Sequence, residues 1–164
     1  MVQQYASRGA LVDTNLLLLY AVGLHNRDAI EKLRRTQRFS SDDFDWLHAF
    51  LMGFHKIITT PHILAELSNL GIDTRAGRPF PHTATLLRLV SATRELWVDK
   101  DELLRNPGLA WLGVTDTGIL ELARRKRYLV VTDDFTLWNT LQASRCDAVN
   151  LNHIRGARWF GDQR

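Results

Sequence analysis

Cysteine is almost missing. Cys146 stands alone in 164 residues, so the chain has no internal disulfide and no CxxC half-site for zinc. A reducing compartment, the cytoplasm, is the expected location. Long apolar runs are missing as well. The longest, LLLLYAVG over 16–23, falls far short of the ~20 residues a membrane span needs, so no membrane partner is expected. No cationic stretch precedes it, so it is not expected to act as a secretory signal. Internal repeats, linkers and low-complexity segments are absent too, which leaves one domain over 1–164, with a core at about 9–151 and a basic tail at 152–164.

Neither charge sign dominates: 21 Lys and Arg stand against 18 Asp and Glu, a net charge of +3. With 45% hydrophobic and 24% charged residues, the composition is that of a globular domain and excludes a disordered tail or a fibre. The basic residues are grouped. Lys32, Arg34, Arg35 and Arg38 form one cluster, Arg124, Arg125, Lys126 and Arg127 another, and Arg155, Arg158 and Arg164 make the tail basic, with Trp159 and Phe160 between them. Such clusters are either solvated faces or footprints for a polyanion. Arg34, Arg35, Arg38, Arg124, Arg125 and Lys126 are the candidate nucleic-acid contacts.

Short apolar runs alternate with helical patterns. Ala10–Val12, Lys56–Thr60, Tyr128–Thr132 and Ala148–Leu151 read as buried strands, with a short extended piece at Trp97-Val98. Helices are expected from Thr14 through Tyr20, over His25–Gln37, after Ser40-Ser41-Asp42-Asp43, over His62–Leu70 and around Leu86–Val90. Two more are expected at Asp116–Lys126, capped by Thr115, and at Thr136–Ala143. Residues 72–81 read as a loop. The alternation predicts an α/β fold, a three-layer α/β/α sandwich with a central parallel sheet. Right-handed crossovers place every carboxyl end of a strand on one edge, where ligands bind in open α/β sheets.

Acidic residues gather at that edge. Asp13 follows the first strand, Asp133 and Asp134 follow the strongest one, Glu66 lies on the helix after the second, and Asp116 sits near a helix N-terminus. Each has an ordinary use: Asp13 as a helix cap, one of Asp133 and Asp134 as another, Asp116 beside a helix dipole, Glu66 on a surface. Together they are harder to explain this way. Facing carboxylates raise one another's pKa, and a divalent cation relieves the repulsion. An all-oxygen ligand set points to Mg²⁺ or Mn²⁺, and phosphodiester hydrolysis is the matching chemistry.

The motifs Leu11-Val-Asp13-Thr-Asn15, Ala65-Glu66-Leu67, Val114-Thr-Asp116-Thr-Gly-Ile119 and Val131-Thr-Asp133-Asp134-Phe135 resemble, in order, the four acidic motifs of the PIN domain family. Many of its members are metal-dependent ribonucleases, including toxins of the VapC type. The resemblance implies that Asp13, Glu66, Asp116 and Asp134 form the metal-binding catalytic set and that Asn15 and Thr132 support it. The Thr-x-Asp pattern selects Asp134, and Thr136 stands where many relatives carry a fifth acid, a role Asp133 would fill in part. Asp13, Asp116 and Asp134 would hold Mg²⁺ or Mn²⁺ directly or through water, with Glu66 completing the pocket or orienting the attacking water. The products would carry a 5′-phosphate and a 3′-hydroxyl. An RNA substrate, a homodimer and an antitoxin protein are the implied partners. Segments 25–55 and 72–110 exceed the compact toxins and would carry a clamp or a partner surface.

Other readings compete. A non-catalytic PIN-like module binding RNA or protein would keep the same acids. A haloacid-dehalogenase-type phosphatase needs an Asp where Asn15 stands, and a receiver domain needs an acidic pair on its first strand. His62 and Glu66, four residues apart on one helix, lack the rest of a His-metal pattern.

Overall fold

The computed structural model describes residues 2–71, 81–125 and 127–161, with no side-chain detail for 157–161. Five strands, β1 (Ala10–Val12), β2 (Ile57–Thr59), β3 (Arg94–Glu95), β4 (Leu129–Thr132) and β5 (Ala148–Asn150), form one sheet. Around it lie α1 (Val2–Tyr5), α2 (Thr14–His25), α3 (Ser41–Leu51), α4 (Pro61–Gly71), α5 (Thr83–Ala92), α6 (Lys100–Arg105), α7 (Leu109–Arg124), α8 (Phe135–Ala143) and α9 (Leu151–Gly161). The fold is α/β, a three-layer α/β/α sandwich.

Strand order is β3-β2-β1-β4-β5, and every pairing is parallel. Ala10 lies opposite both Ile57 and Leu129, so β1 is central. Its three residues are fully buried, as expected of a strand covered on both faces. The chain winds outward from β1 to β2 and β3, then returns to place β4 on the other flank of β1. The order therefore reverses between β1 and β4, and the carboxyl ends of those strands open onto the crevice where such sheets bind ligands.

Asp13 leaves β1 and caps α2, its side chain accepting from the Leu16 amide at 2.9 Å. Leu16 to Val22 are buried without interruption, because α2 packs against α3, α4 and α5 as well as β4. Ser40 and Asp43 form a reciprocal capping box at the start of α3, and Phe44, Leu47 and Leu51 turn inward from it.

Four expectations are corrected. The helix expected over His25–Gln37 does not form. Asn26 leaves α2 in an extended conformation and caps a single 3₁₀ turn, Arg27–Ala29, followed by turns. Ile30 and Phe39 are its fully buried apolar anchors, Ala29 and Leu33 pack partly against the core, and the buried Thr36 hydroxyl donates to the Ile30 carbonyl at 2.7 Å. The basic run between these anchors offers no continuous apolar stripe, so a helix there would bury too little to hold. The extended piece expected at Trp97-Val98 lies earlier, as β3. Thr115 does not cap a helix: α7 begins at Leu109 and bends at Gly113, whose φ of 77° and ψ of 175° suit glycine alone. The last strand, expected to reach Leu151, stops at Asn150, and Leu151 opens α9, which runs into the basic tail. The loop expected at 72–81 falls outside the described residues up to position 80.

Gly23 shows how tightly α2 meets α3. A Cβ there would sit 2.1 Å from Cδ2 of Phe44, a distance that forces the ring or the helices apart. Gly23→Ala is therefore expected to destabilise by about 1–2 kcal/mol, overpacking outweighing the better helix propensity of alanine. Thermal melts should show Tm lowered by roughly 2–8 °C, with Phe44→Leu in the same chain recovering part of it. An unchanged or raised Tm would disprove the close fit.

Candidate acidic site at the sheet switch point

Asp13 is the innermost acid. Its residue is 5% exposed. Its backbone amide bonds the Val131 carbonyl at 3.0 Å. One side-chain oxygen takes the Leu16 amide and the other the Asp133 amide, at 2.9 and 3.0 Å. The carboxylate thus ties the end of β1 to the end of β4. Burial, with the Asp133 carboxylate close by, pushes its pKa up to about 7, against hydrogen bonds from Thr132, Leu16 and Asp133 that favour the charged form.

The segment after β4 is braced from three sides. The Thr132 hydroxyl accepts from the Asp134 amide at 2.9 Å. Asp134 caps α8 through Oδ1, which accepts from the Leu137 amide at 2.9 Å. Asn150 donates to the Asp134 carbonyl at 3.1 Å and Asn152 to the Asp133 carbonyl at 2.6 Å. Of the two adjacent acids, Asp134 is both the cap and the charge that Asp116 feels. Asp133 turns back towards Asp13, its side chain 7% exposed, and pairs with Arg38 at 2.7 Å through Oδ2. Its Oδ1 is buried without a hydrogen bond among the described residues. Burial raises the Asp133 pKa, opposed by Arg38 and reinforced by Asp134.

The remaining acids come from α4 and α7. Glu66 is exposed on α4, one oxygen accepting from the Thr14 hydroxyl at 2.8 Å. That bond ties α4 to the first turn of α2. Asp116 follows the Gly113 bend within the first turn of the lower part of α7, half-buried. Burial pushes its pKa up to about 6, followed by the charges of Asp134 and Glu66. Carboxylates from four separate chain segments thus share one field.

Other sequence-expected residues are placed as follows. Thr132 is buried between Asp13 and Asp134, whereas the side chain of Asn15, half-buried in α2, makes no hydrogen bond to the described residues. Arg34 and Arg35 are exposed. Arg124 pairs with Glu121 at 2.8 Å and Arg125 with Glu102 at 3.0 Å, both at the surface. Lys126 and Arg164 lie outside the described residues, as do the side chains of Arg158, Trp159 and Phe160. His62 leaves Nδ1 buried and without a hydrogen-bond partner among the described residues. Four participants went unread: Thr14, Asn150, Asn152 and Arg155. The Asp13-Thr14 adjacency and the Asn150-Leu-Asn152 pair were the available signals, because small polar residues beside acids commonly orient them.

The donor chemistry fits a hard divalent cation: every candidate ligand is a carboxylate oxygen, two carry pKa values raised by burial and then by neighbouring acids, and one buried oxygen of Asp133 lacks a hydrogen-bond partner among the described residues. The spacing is looser than the chemistry. Among the described residues, no three His, Cys, Asp or Glu side chains stand close enough to hold one ion together.

No family model matches the sequence, and no curated protein matches it. Among solved structures, the crystal structure of PAE2754 from Pyrobaculum aerophilum superposes with a TM-score of 0.51 at 20% identity, over 89% of this chain and 91% of that one. The likeness at that identity is one of fold.

The raised pKa of Asp116 sets a stability prediction. Below the unfolded value near 4 its carboxyl is neutral in both states and costs nothing. As pH rises through about 6, the folded protein holds the proton longer than the unfolded chain, so stability falls. Asp116→Asn removes this loss without breaking any hydrogen bond described above. In EDTA it should raise Tm by about 2–4 °C at pH 7.5 and leave it unchanged at pH 4. A lower Tm than the native protein at pH 7.5 would show the carboxylate to be net stabilising.

Proposed function

We propose that the chain is a metal-dependent endoribonuclease of the PIN type, hydrolysing RNA phosphodiester bonds at the carboxylates of the switch point. The observation carrying this reading is the shared field of the four acidic segments: Asp116 responds to Asp134 and Glu66, and Asp13 responds to Asp133. A site kept for helix capping alone has no reason to gather that much like charge. Asp13, Asp116 and Asp134 are the residues that would hold Mg²⁺ or Mn²⁺. Such an ion, when bound, supplies a water of lowered pKa and charge neutralisation at phosphorus.

The protein's own groups do the positioning. Thr132 and the two asparagines fix the backbone on either side of Asp134. Leu137 occupies one oxygen of Asp134 and leaves Oδ2 for another partner. Thr14 holds Glu66 in a set orientation at the pocket rim, where its carboxylate can accept a hydrogen bond from the attacking water. Asp13 anchors the floor. Hydrolysis would leave a 5′-phosphate and a 3′-hydroxyl.

A toxin–antitoxin setting and a homodimer follow from the family resemblance. Exposed apolar side chains support a protein partner: Trp97 and Leu104 in the segment 72–110 and Trp111 just after it are each about two-thirds exposed. No helix among the described residues is long and apolar enough to cross a membrane. A second reading, a binding module without catalysis, draws support from both Asp13 oxygens being engaged by backbone amides and from the loose spacing of the acids.

Cleavage of single-stranded and structured RNA by purified protein separates the two. The nuclease reading expects cutting in Mg²⁺ or Mn²⁺, none in EDTA, and a fall of about two orders of magnitude in Asp116→Asn and Asp134→Asn, the scale of losing one group that manages transition-state charge. RNA binding without cutting in any of these ions would favour the binding module.

A further inference from the structure

A cation that pairs with one of the acids comes from the connection that did not become a helix. Arg38 ends the basic run 32–38 and pairs with Asp133, its side chain 52% exposed and its partner's only 7%. Its backbone is fixed from behind. Arg155 on α9 donates to the Arg38 carbonyl at 3.1 Å and grips the buried Asp43 carboxylate at 2.9 and 2.5 Å. The Phe39 ring, buried, lies under both guanidinium groups, 4.9 Å from that of Arg38 and 5.3 Å from that of Arg155. Arg155 is thus committed to structure, and the Arg38 backbone is held while its side chain reaches from solvent to the pocket wall.

The pair is also incomplete. A guanidinium has five donors and matches a carboxylate with two parallel bonds, yet Arg38 meets only Oδ2, and Oδ1 of Asp133 stays without a hydrogen bond among the described residues. An arginine serving only to neutralise Asp133 would bond both oxygens. One that retains free donors at the mouth of an acidic pocket is placed to receive an anion that the acids themselves repel.

We propose that Arg38 is the residue that receives an RNA backbone phosphate at this site, and that Asp133 holds its guanidinium ready and yields it when the phosphate arrives. The inference rests on the nucleic-acid part of the reading above, not on cleavage. On binding, the guanidinium exchanges Oδ2 of Asp133 for a non-bridging phosphate oxygen, with no covalent bond made or broken. Asp133 competes with RNA for Arg38, so removing its charge should tighten binding.

The test is fluorescence anisotropy with a single-stranded RNA oligonucleotide in EDTA, over a range of salt, using the full chain. Arg38→Ala is expected to weaken binding about tenfold and to lower the slope of log K against log salt by about 1, with Arg38→Lys in between. Asp133→Asn is expected to tighten binding severalfold, and the double variant Arg38→Ala/Asp133→Asn should lose that gain. Thermal melts of each variant identify loss of folding, and Arg38→Lys, at an exposed position, supplies a folded comparison. The proposal is overturned if Arg38→Ala binds with native affinity and slope, or if no RNA is bound. It is equally overturned if Asp133→Asn tightens binding as much without Arg38 as with it, since bulk charge would then explain the effect. Failure of the nuclease reading is distinguishable: RNA bound through Arg38 but left uncut in Mg²⁺ and Mn²⁺ removes catalysis and leaves this contact standing.

Discussion

The Asp13 carboxylate, sealed between β1 and β4, accepts one amide that starts α2 and another that begins the turn after β4. Burying an acid beside a second acid is costly, and the fold sustains it because each oxygen has a backbone donor. Through those two bonds the entry of α2, the turn at 133–134 and the mouth of the crevice become one unit. Thr132, Asn150 and Asn152 then have a rigid object to brace. A side chain often assigned to capping alone here also joins two strands that meet only because the sheet order reverses between them.

Around this centre the charges are arranged with opposite purposes. Asp43 and Arg155 form a buried pair with several hydrogen bonds, closing the ring between α3, α9 and the 26–40 connection. Burial pushes the Asp43 pKa up, but the bonds and charge of Arg155 and the Ser40 amide outweigh it, so the carboxyl stays charged. Asp13, Asp116 and Asp133 are pushed the other way, by burial first and then by the charge of neighbouring acids. α9 thus carries both a satisfied ion pair, through Arg155, and a brace on the acidic turn, through Asn152.

Much of this was legible in the chain. Buried strands with both faces covered leave continuous apolar runs, so Ala10–Val12 and Leu129–Thr132 stood out, each ended by an acid. The Ser40 and Asp43 box was legible because capping is local. The 26–40 connection was not: its basic residues suggested a helix face, and only tertiary placement revealed that Ile30 and Phe39 are buried from turns rather than from a helix. α9 was missed because Asn152-His-Ile-Arg-Gly-Ala has few apolar residues, and its stability comes from Arg155 reaching 112 positions back to Asp43. The Thr-x-Asp pattern singled out Asp134, but the pairing of Asp133 with Arg38 was beyond local pattern, since it depends on where the distant 26–40 connection packs.

The central position of β1 has a consequence for how the chain is made. Its two neighbours are β2, within the first sixty residues, and β4, whose Leu129 pairs with Ala10. A ribosome adding about 5–20 residues per second releases the second partner roughly ten seconds after the strand itself. During that interval one edge of β1 and the apolar run 16–22 of α2 have no finished sheet to cover them. The assembly step that completes the crevice is therefore also the one that shields an adhesive part of the newborn polypeptide.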